Sequence, residues 1–274
     1  MLVWRSGLQR AWPIFGRMAW ECFLRNSDKW RATKLRLGRG NRVVVPAARR
    51  EVAPGSIAVA SLVARWYARH LPLYAGGVLL DLGCGKAPFY ELYAPHVSDV
   101  LCTDWPNSLH GRAYIDFASD LSTGIPLRDA SVDTMVVSDV LEHVYRPQIV
   151  LNEMYRVLKP GGAVLMNVPF VYCVHEAPHD YFRYTQFAVS RMAEDAGFAI
   201  EVLDPLGGKF LAFADVAGKA LQGATLLGGP QVARTVQRAA LAASGYLPRS
   251  AKFPLEIATV LRRPLERSLA VAAQ

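Results

Sequence analysis

Two stretches of this chain concentrate the residue types that do chemistry, and they suit different tasks. The first, Val78-Leu-Leu-Asp81-Leu-Gly83-Cys84-Gly85-Lys86-Ala87-Pro88, reads as a buried strand breaking into a glycine turn that opens a helix. Glycines at 83 and 85 let the backbone approach a ligand where any Cβ would intrude, so the turn suits a nucleotide-like cofactor. The second, His175-Glu176-Ala-Pro178-His179-Asp180-Tyr181-Phe182-Arg183, is dense in ionisable groups. A histidine there can take a proton, Glu176 or Asp180 can orient it, and Arg183 can hold an anionic group on an acceptor. We therefore expect His175, Glu176, His179, Asp180 and Arg183 to carry the reaction. His175-Glu-Ala-Pro-His179 spells the H-E-x-x-H of zinc proteases, but Pro178 blocks the continuous helix that pattern needs, so no metal is expected.

The glycine turn narrows further by what it lacks. A phosphate-binding P-loop needs Ser or Thr after Gly-Lys, whereas Lys86 is followed by Ala87 and Pro88. A dinucleotide fingerprint needs a third glycine at position 88. The remaining pattern, Asp81-Leu-Gly83-Cys-Gly85, is followed by acids at spaced strand ends: Asp104 after Val97 to Thr103, then Asp120-Leu121, then the long string Ile125 to Val144. Arg156-Val-Leu-Lys-Pro-Gly-Gly162 leads into a further strand from Ala163 to Pro169.

Over roughly residues 56 to 204 and again near 255 to 263, this order resembles the class I S-adenosylmethionine-dependent methyltransferases, specifically the type 11-like members. The resemblance implies S-adenosylmethionine as cofactor, contacted by Asp81, Gly83, Cys84, Gly85, Asp104, Trp105, Asp120, Leu121 and Ser138. It also implies methyl transfer, and the Phe-Arg-Tyr-Thr run of the second stretch is similar to that in methyltransferases of surface-glycan and lipid assembly. An NAD-dependent oxidoreductase, or a noncatalytic scaffold on the same fold, is the alternative reading.

The elements needed to position these residues are legible. Ser56 to Leu71 carries apolar residues at helical spacing after a Pro-Gly-Ser start, Arg146 to Leu158 repeats this, and Thr185 caps a helix from Gln186 to Ala196 that Gly197 ends. Strand-like and helical runs alternate, which predicts an α/β fold. The resemblance makes it a doubly wound, Rossmann-like sheet of seven strands, mostly parallel with an antiparallel seventh strand. Strand six is expected at Ala199 to Leu203 and strand seven at Pro254 to Arg262, with two helices inserted between them. The expected divisions are a basic aromatic arm over 1–53, a core over 54–204, the helical insertion over 205–253, and a last strand and tail over 254–274.

Charge is unevenly placed along these divisions. Residues 1–50 carry net +10, residues 51–204 net −8 and residues 205–274 net +6. An acidic core disfavours a nucleic-acid acceptor. The basic flanks, with Trp4, Trp12 and Trp20 at one end, point to peripheral contact with an anionic membrane face and a glycan, lipid-linked or small-molecule acceptor. A packed extension or a targeting segment are the other readings of the arm. Four cysteines without a CxxC pair fit a reducing compartment such as the cytoplasm.

Overall fold

The computed structural model describes residues 24–38, 43–45, 52–224, 228–246 and 251–265. Most of the expected membrane-contacting arm, including Trp4, Trp12 and Trp20, lies outside the described residues.

The sheet is built where the sequence runs apolar. Its strands are β3 (Val78–Leu82), β4 (Asp99–Asp104), β5 (Phe117–Ala118), β6 (Val132–Ser138), β7 (Leu158–Pro169), β8 (Ala199–Gly207) and β9 (Pro254–Arg262), while β1 (Arg36–Leu37) and β2 (Val43–Val44) form a separate antiparallel ribbon. The seven strands lie in the order β5-β4-β3-β6-β7-β9-β8, parallel from β5 to β7. β9 pairs antiparallel with both β7 and β8, as the antiparallel seventh strand expected, and the structure places it between the fifth and sixth. β3 and β9 are buried along almost their whole length because helices cover both faces of a parallel sheet.

Helices α1 (Ile57–Tyr74), α3 (Pro147–Val157) and α4 (Gln186–Asp195) fall where their apolar periodicity places them, and Thr185 Oγ1 accepts from the Ala188 N–H as the α4 cap. A short helix, α2 (Tyr90–Tyr93), follows the glycine turn. The sheet order reverses at β3, where β4 and β6 leave on opposite sides, and such a switch point opens a crevice at the strands' carboxyl ends.

Two boundaries differ from the expectation. Lys159 to Gly162 is not a turn before the fifth strand but a bulge inside it, since the ladder to β6 runs Val132↔Leu158 and then shifts to Thr134↔Ala163. Gly161 is left-handed at φ +80, and a Cβ on Gly162 would stand 2.8 Å from the Asp133 carbonyl, so glycine lets the bulge stay in the ladder. The sixth strand runs on to Gly207, because Val202 to Leu206 keep pairing with β9.

The insertion forms α5 (Lys209–Gln222) and α6 (Gly229–Ala243). Both dock at the start of α1. Gln222 accepts from the Gly55 N–H, and buried Gln237 accepts from the Ala58 N–H while donating to the Ala214 carbonyl. The insertion thus supplies partners for N–H groups that α1 leaves unsatisfied at its N-terminus. The described part of the arm also packs on the core, with Leu24 and Leu35 fully buried and Trp30 Nε1 donating to the Ala87 carbonyl at 3.1 Å. For residues 24–38 the packed extension is what the structure shows.

Candidate active site

At the crevice, β3 delivers Asp81 with its side chain buried and its Oδ2 accepting from the Tyr93 hydroxyl at 3.0 Å. Burial pushes the Asp81 carboxyl up to about 7; the Tyr93 hydrogen bond opposes that and nearby Asp104 adds to it. The chain then reverses over β4, with the Gly83 and Cys84 N–H groups both donating to the Thr103 carbonyl at 2.9 and 3.0 Å. Gly83 is left-handed at φ +74, and a Cβ there would lie 2.5 Å from Val140 Cγ2. Ala87 is left-handed too, at φ +48, where a glycine would be at ease.

Asp104 ends β4 and holds the turn together. Its Oδ2 accepts from the Gly85 N–H at 3.1 Å and from Ser108 Oγ at 2.8 Å, and its Oδ1 from the Trp105 N–H at 2.7 Å. A carboxylate offers about four acceptor sites, so one is left for a ligand hydroxyl, and a second hydroxyl would displace Ser108 Oγ. Asp120 Oδ1 is engaged by the Ser122 N–H and hydroxyl, with Leu121 buried beside it, and Ser138 Oγ donates to Asp139. Asp81, Gly83, Cys84, Gly85, Asp104, Trp105, Asp120, Leu121 and Ser138 all line one cavity of about 820 Å³.

Of the second stretch, His175, Glu176, His179 and Tyr181 line the same cavity, and of the two acids expected to orient a histidine the structure pairs Asp180 with His175. Glu176 does not orient His175; its Oε1 lies 3.3 Å from His110 Nε2, which holds its carboxyl below the usual range. Asp180 is the partner of His175 instead, accepting its N–H at 2.9 Å and standing 3.3 Å from its Nδ1. Arg183 is not poised for an acceptor anion. It grips Asp180 with both forks, at 2.6 and 2.7 Å, and spends its remaining N–H groups on the carbonyls of Tyr172, Cys173 and Phe182. That pairing holds the Asp180 carboxyl well below the usual range. Arg183 therefore positions the loop, while exposed His179 stands with its ring against the Trp105 ring at 5.0 Å, where the two stretches meet.

Three further groups come from the segment just after β6, where no role was expected. Glu142 is fully buried and neither carboxylate oxygen has a hydrogen-bond partner among the described residues. His143 Nε2 lies 3.1 Å from His175 Nε2, and Asp139, left-handed at φ +53, accepts from Asn167. Asn167 also bonds buried Glu256 of β9 and the Tyr67 hydroxyl. Burial pushes the Glu142 and Glu256 carboxyls up, with Asp139 adding to both, and burial beside His143 lowers His175. One signal was available: an acid inside the apolar run Pro254 to Leu261 needs a reason to be there.

The comparisons with known proteins agree with this layout. Residues 80–166 match the family described as methyltransferase domain. A candidate S-adenosylmethionine-dependent methyltransferase of Mycolicibacterium smegmatis is 30% identical over 160 residues, spanning 52% of this chain and 62% of that relative. A demethylmenaquinone methyltransferase of Paenarthrobacter aurescens is 34% identical over 96 residues, 33% of this chain and 38% of that one. The chain thus spans less than two thirds of the length of these curated relatives. Among solved structures, a candidate sarcosine dimethylglycine methyltransferase from Galdieria sulphuraria shares the fold with a TM-score of 0.53 at 15% identity, over 77% of this chain and 88% of that one. Residues 80–166 thus match a methyltransferase domain, and the chain shares the α/β, Rossmann-like fold of S-adenosylmethionine-dependent methyltransferases.

Proposed function

We propose that the protein transfers a methyl group from S-adenosylmethionine to an oxygen of an amphipathic small molecule, glycan or lipid-linked acceptor. The observation that carries this reading is the single cavity joining the glycine turn to the His175 loop, large enough for a nucleoside and a second reactant together. The residues fit the cofactor: Gly83, which lines the cavity, has a left-handed backbone and no room for a Cβ against Val140, and Asp104 has acceptor capacity left for a ribose hydroxyl. When bound, the cofactor supplies an activated methyl group on a sulfonium. The chain's part is alignment, which can contribute about 7 to 11 kcal/mol. Held there, the cofactor would give up its methyl group to the acceptor oxygen, with sulfur keeping the electron pair, and the His179 ring would take the hydroxyl proton.

The amphipathic character of the acceptor draws on α5, whose Phe210, Phe213 and Val216 are exposed on the surface. No helix of the described residues is long and apolar enough to cross a membrane, and the contact we propose is peripheral, on the cytoplasmic face. A second reading, methylation of a carbon in a quinone-type acceptor, is favoured by the likeness to the demethylmenaquinone methyltransferase and to a ubiquinone/menaquinone biosynthesis C-methyltransferase of Rubrivivax gelatinosus.

Methyl-labelled donor incubated with protein and cell extract, then partitioned among lipid, glycan, protein and nucleic-acid fractions, tests this. Label in the lipid or glycan fraction is expected, and product analysis separates oxygen from carbon. Label only in nucleic acid would overturn the acceptor reading, and absence of donor binding by calorimetry would overturn methyl transfer itself.

A further inference from the structure

We infer that Glu142, His143 and His175 form a binding site for one divalent transition-metal ion beside the acceptor. The inference concerns how the proposed methyl transfer activates its acceptor and so rests on that reading, but metal binding is measurable without it.

The reasoning begins with where each imidazole hydrogen must be. His143 Nδ1 lies 2.7 Å from the His179 carbonyl, an acceptor only, so Nδ1 carries the hydrogen and Nε2 bears a lone pair. His175 Nδ1 faces the Cys173 carbonyl and Asp180 Oδ2, both at 3.3 Å, and the same logic leaves its Nε2 bare. These two lone pairs point at each other across 3.1 Å, an arrangement that repels unless a positive species lies between them.

The third donor identifies that species. Glu142 Oε1 stands 3.8 Å from His143 Nε2 and 3.9 Å from His175 Nε2, and all three donors fall within 4.8 Å of one another. A proton between the two imidazoles would satisfy them at 3.1 Å but would leave both buried Glu142 oxygens, 3.8 and 3.9 Å away, without a partner among the described residues. An ion with bonds near 2.1 Å spaces its ligands by roughly 3.0 to 3.4 Å, so small side-chain movements close the set. It would also supply the partner that both fully buried Glu142 oxygens lack.

Two imidazoles and one carboxylate select zinc, cobalt, manganese or iron over magnesium and calcium, which prefer oxygen ligands. The arrangement bypasses the rejected zinc-protease pattern, since His179 turns its Nδ1 to the Tyr181 hydroxyl and His143 takes its place from another segment. With three protein ligands the ion keeps open positions, and the cluster lines the shared cavity. An acceptor hydroxyl bound there would lose its proton more easily, which favours an oxygen nucleophile over carbon.

The test uses full-length protein treated with chelator and dialysed, then titrated by calorimetry with Zn²⁺, Co²⁺ and, as a contrast, Mg²⁺. One Zn²⁺ or Co²⁺ per chain is expected, with Mg²⁺ far weaker. H143A, H175A and Glu142→Gln should each weaken binding at least about 100-fold, since even residues that only support a ligand cost 10- to 100-fold. H179N should retain it. Should the variants unfold, wild-type protein still decides: Zn²⁺ should shift the ring resonances of His143 and His175 more than those of His179. Failure to bind either ion, or binding unaffected by all three variants, would overturn the inference in favour of a shared proton. S-adenosylhomocysteine titrated separately reports the donor site, so its loss would count against methyl transfer and not against the metal.

Discussion

The two halves of the cleft, assigned above by proposal to the methyl donor and to the acceptor, are built on opposite principles. The donor half is mostly backbone: a left-handed glycine turn fastened by main-chain N–H groups to the Thr103 carbonyl and to Asp104, within some 25 residues of chain. The acceptor half is mostly side chain, assembled from three distant segments after β6, after β7 and on β9. A backbone cradle has a shape that few residues can spell, whereas a side-chain cluster can be assembled from anywhere at a sheet edge. One half can be shared across a family while the other varies.

That contrast can be broken most decisively at Gly83. Left-handed backbone costs an L-residue about 1–2 kcal/mol and overlap with Val140 adds about 1–3, so Gly83→Val should weaken donor binding roughly 100-fold by calorimetry. Unchanged affinity would mean this half is not the donor's.

Acidity sharpens the comparison next, because Asp81 in one half and Asp180 in the other respond to pH with opposite sign. Asp81, raised to about 7 when folded, contributes stability fully below about pH 4, and that contribution is lost as pH rises towards 7. Asp180, lowered by Arg183, contributes above about pH 4 and loses its contribution as pH falls through its folded value. Asp81→Asn should therefore gain on wild type by about 2 kcal/mol between pH 5 and 8, read as melting temperature without donor. A constant difference across that range would mean Asp81 is ionised when folded.

Arg183→Lys is the matching change in the acceptor half. It keeps the charge but loses the two-pronged grip on Asp180, so turnover should fall roughly tenfold with donor affinity intact. An equal loss of donor affinity would show that the halves are coupled. The smallest effect is expected at Ala87→Gly, which relieves left-handed strain and should stabilise the protein by about 0.5–1 kcal/mol in chemical denaturation.

The same division governs what could be read from the chain alone. Asp81, Gly83, Gly85 and Asp104 were legible as one turn because a strand, a turn and the next strand's end lie close in sequence, while the alternation of elements gave the α/β class and the family resemblance gave the sheet's arrangement. The His175 loop was found by composition, but its internal pairings were not. Asp180 serves both His175 and Arg183, and choosing it over Glu176 depends on which way each side chain leaves an irregular loop. Glu142 and His143 went unnoticed for the opposite reason. They sit in a stretch whose resemblance was already accounted for, and their partner is 32 residues away.

The hydrogen bond from Trp30 to the Ala87 carbonyl has a practical consequence for anyone dividing this chain. It fastens the strained end of the donor turn from outside the residues that spell the motif, and neighbouring Thr33, Lys34 and Leu35 form part of the cavity wall. A fragment trimmed to the catalytic core at residue 54 would keep every motif residue yet lose one side of the vessel. A donor bound as proposed would exchange faster from it, and an assay on such a fragment would understate the activity.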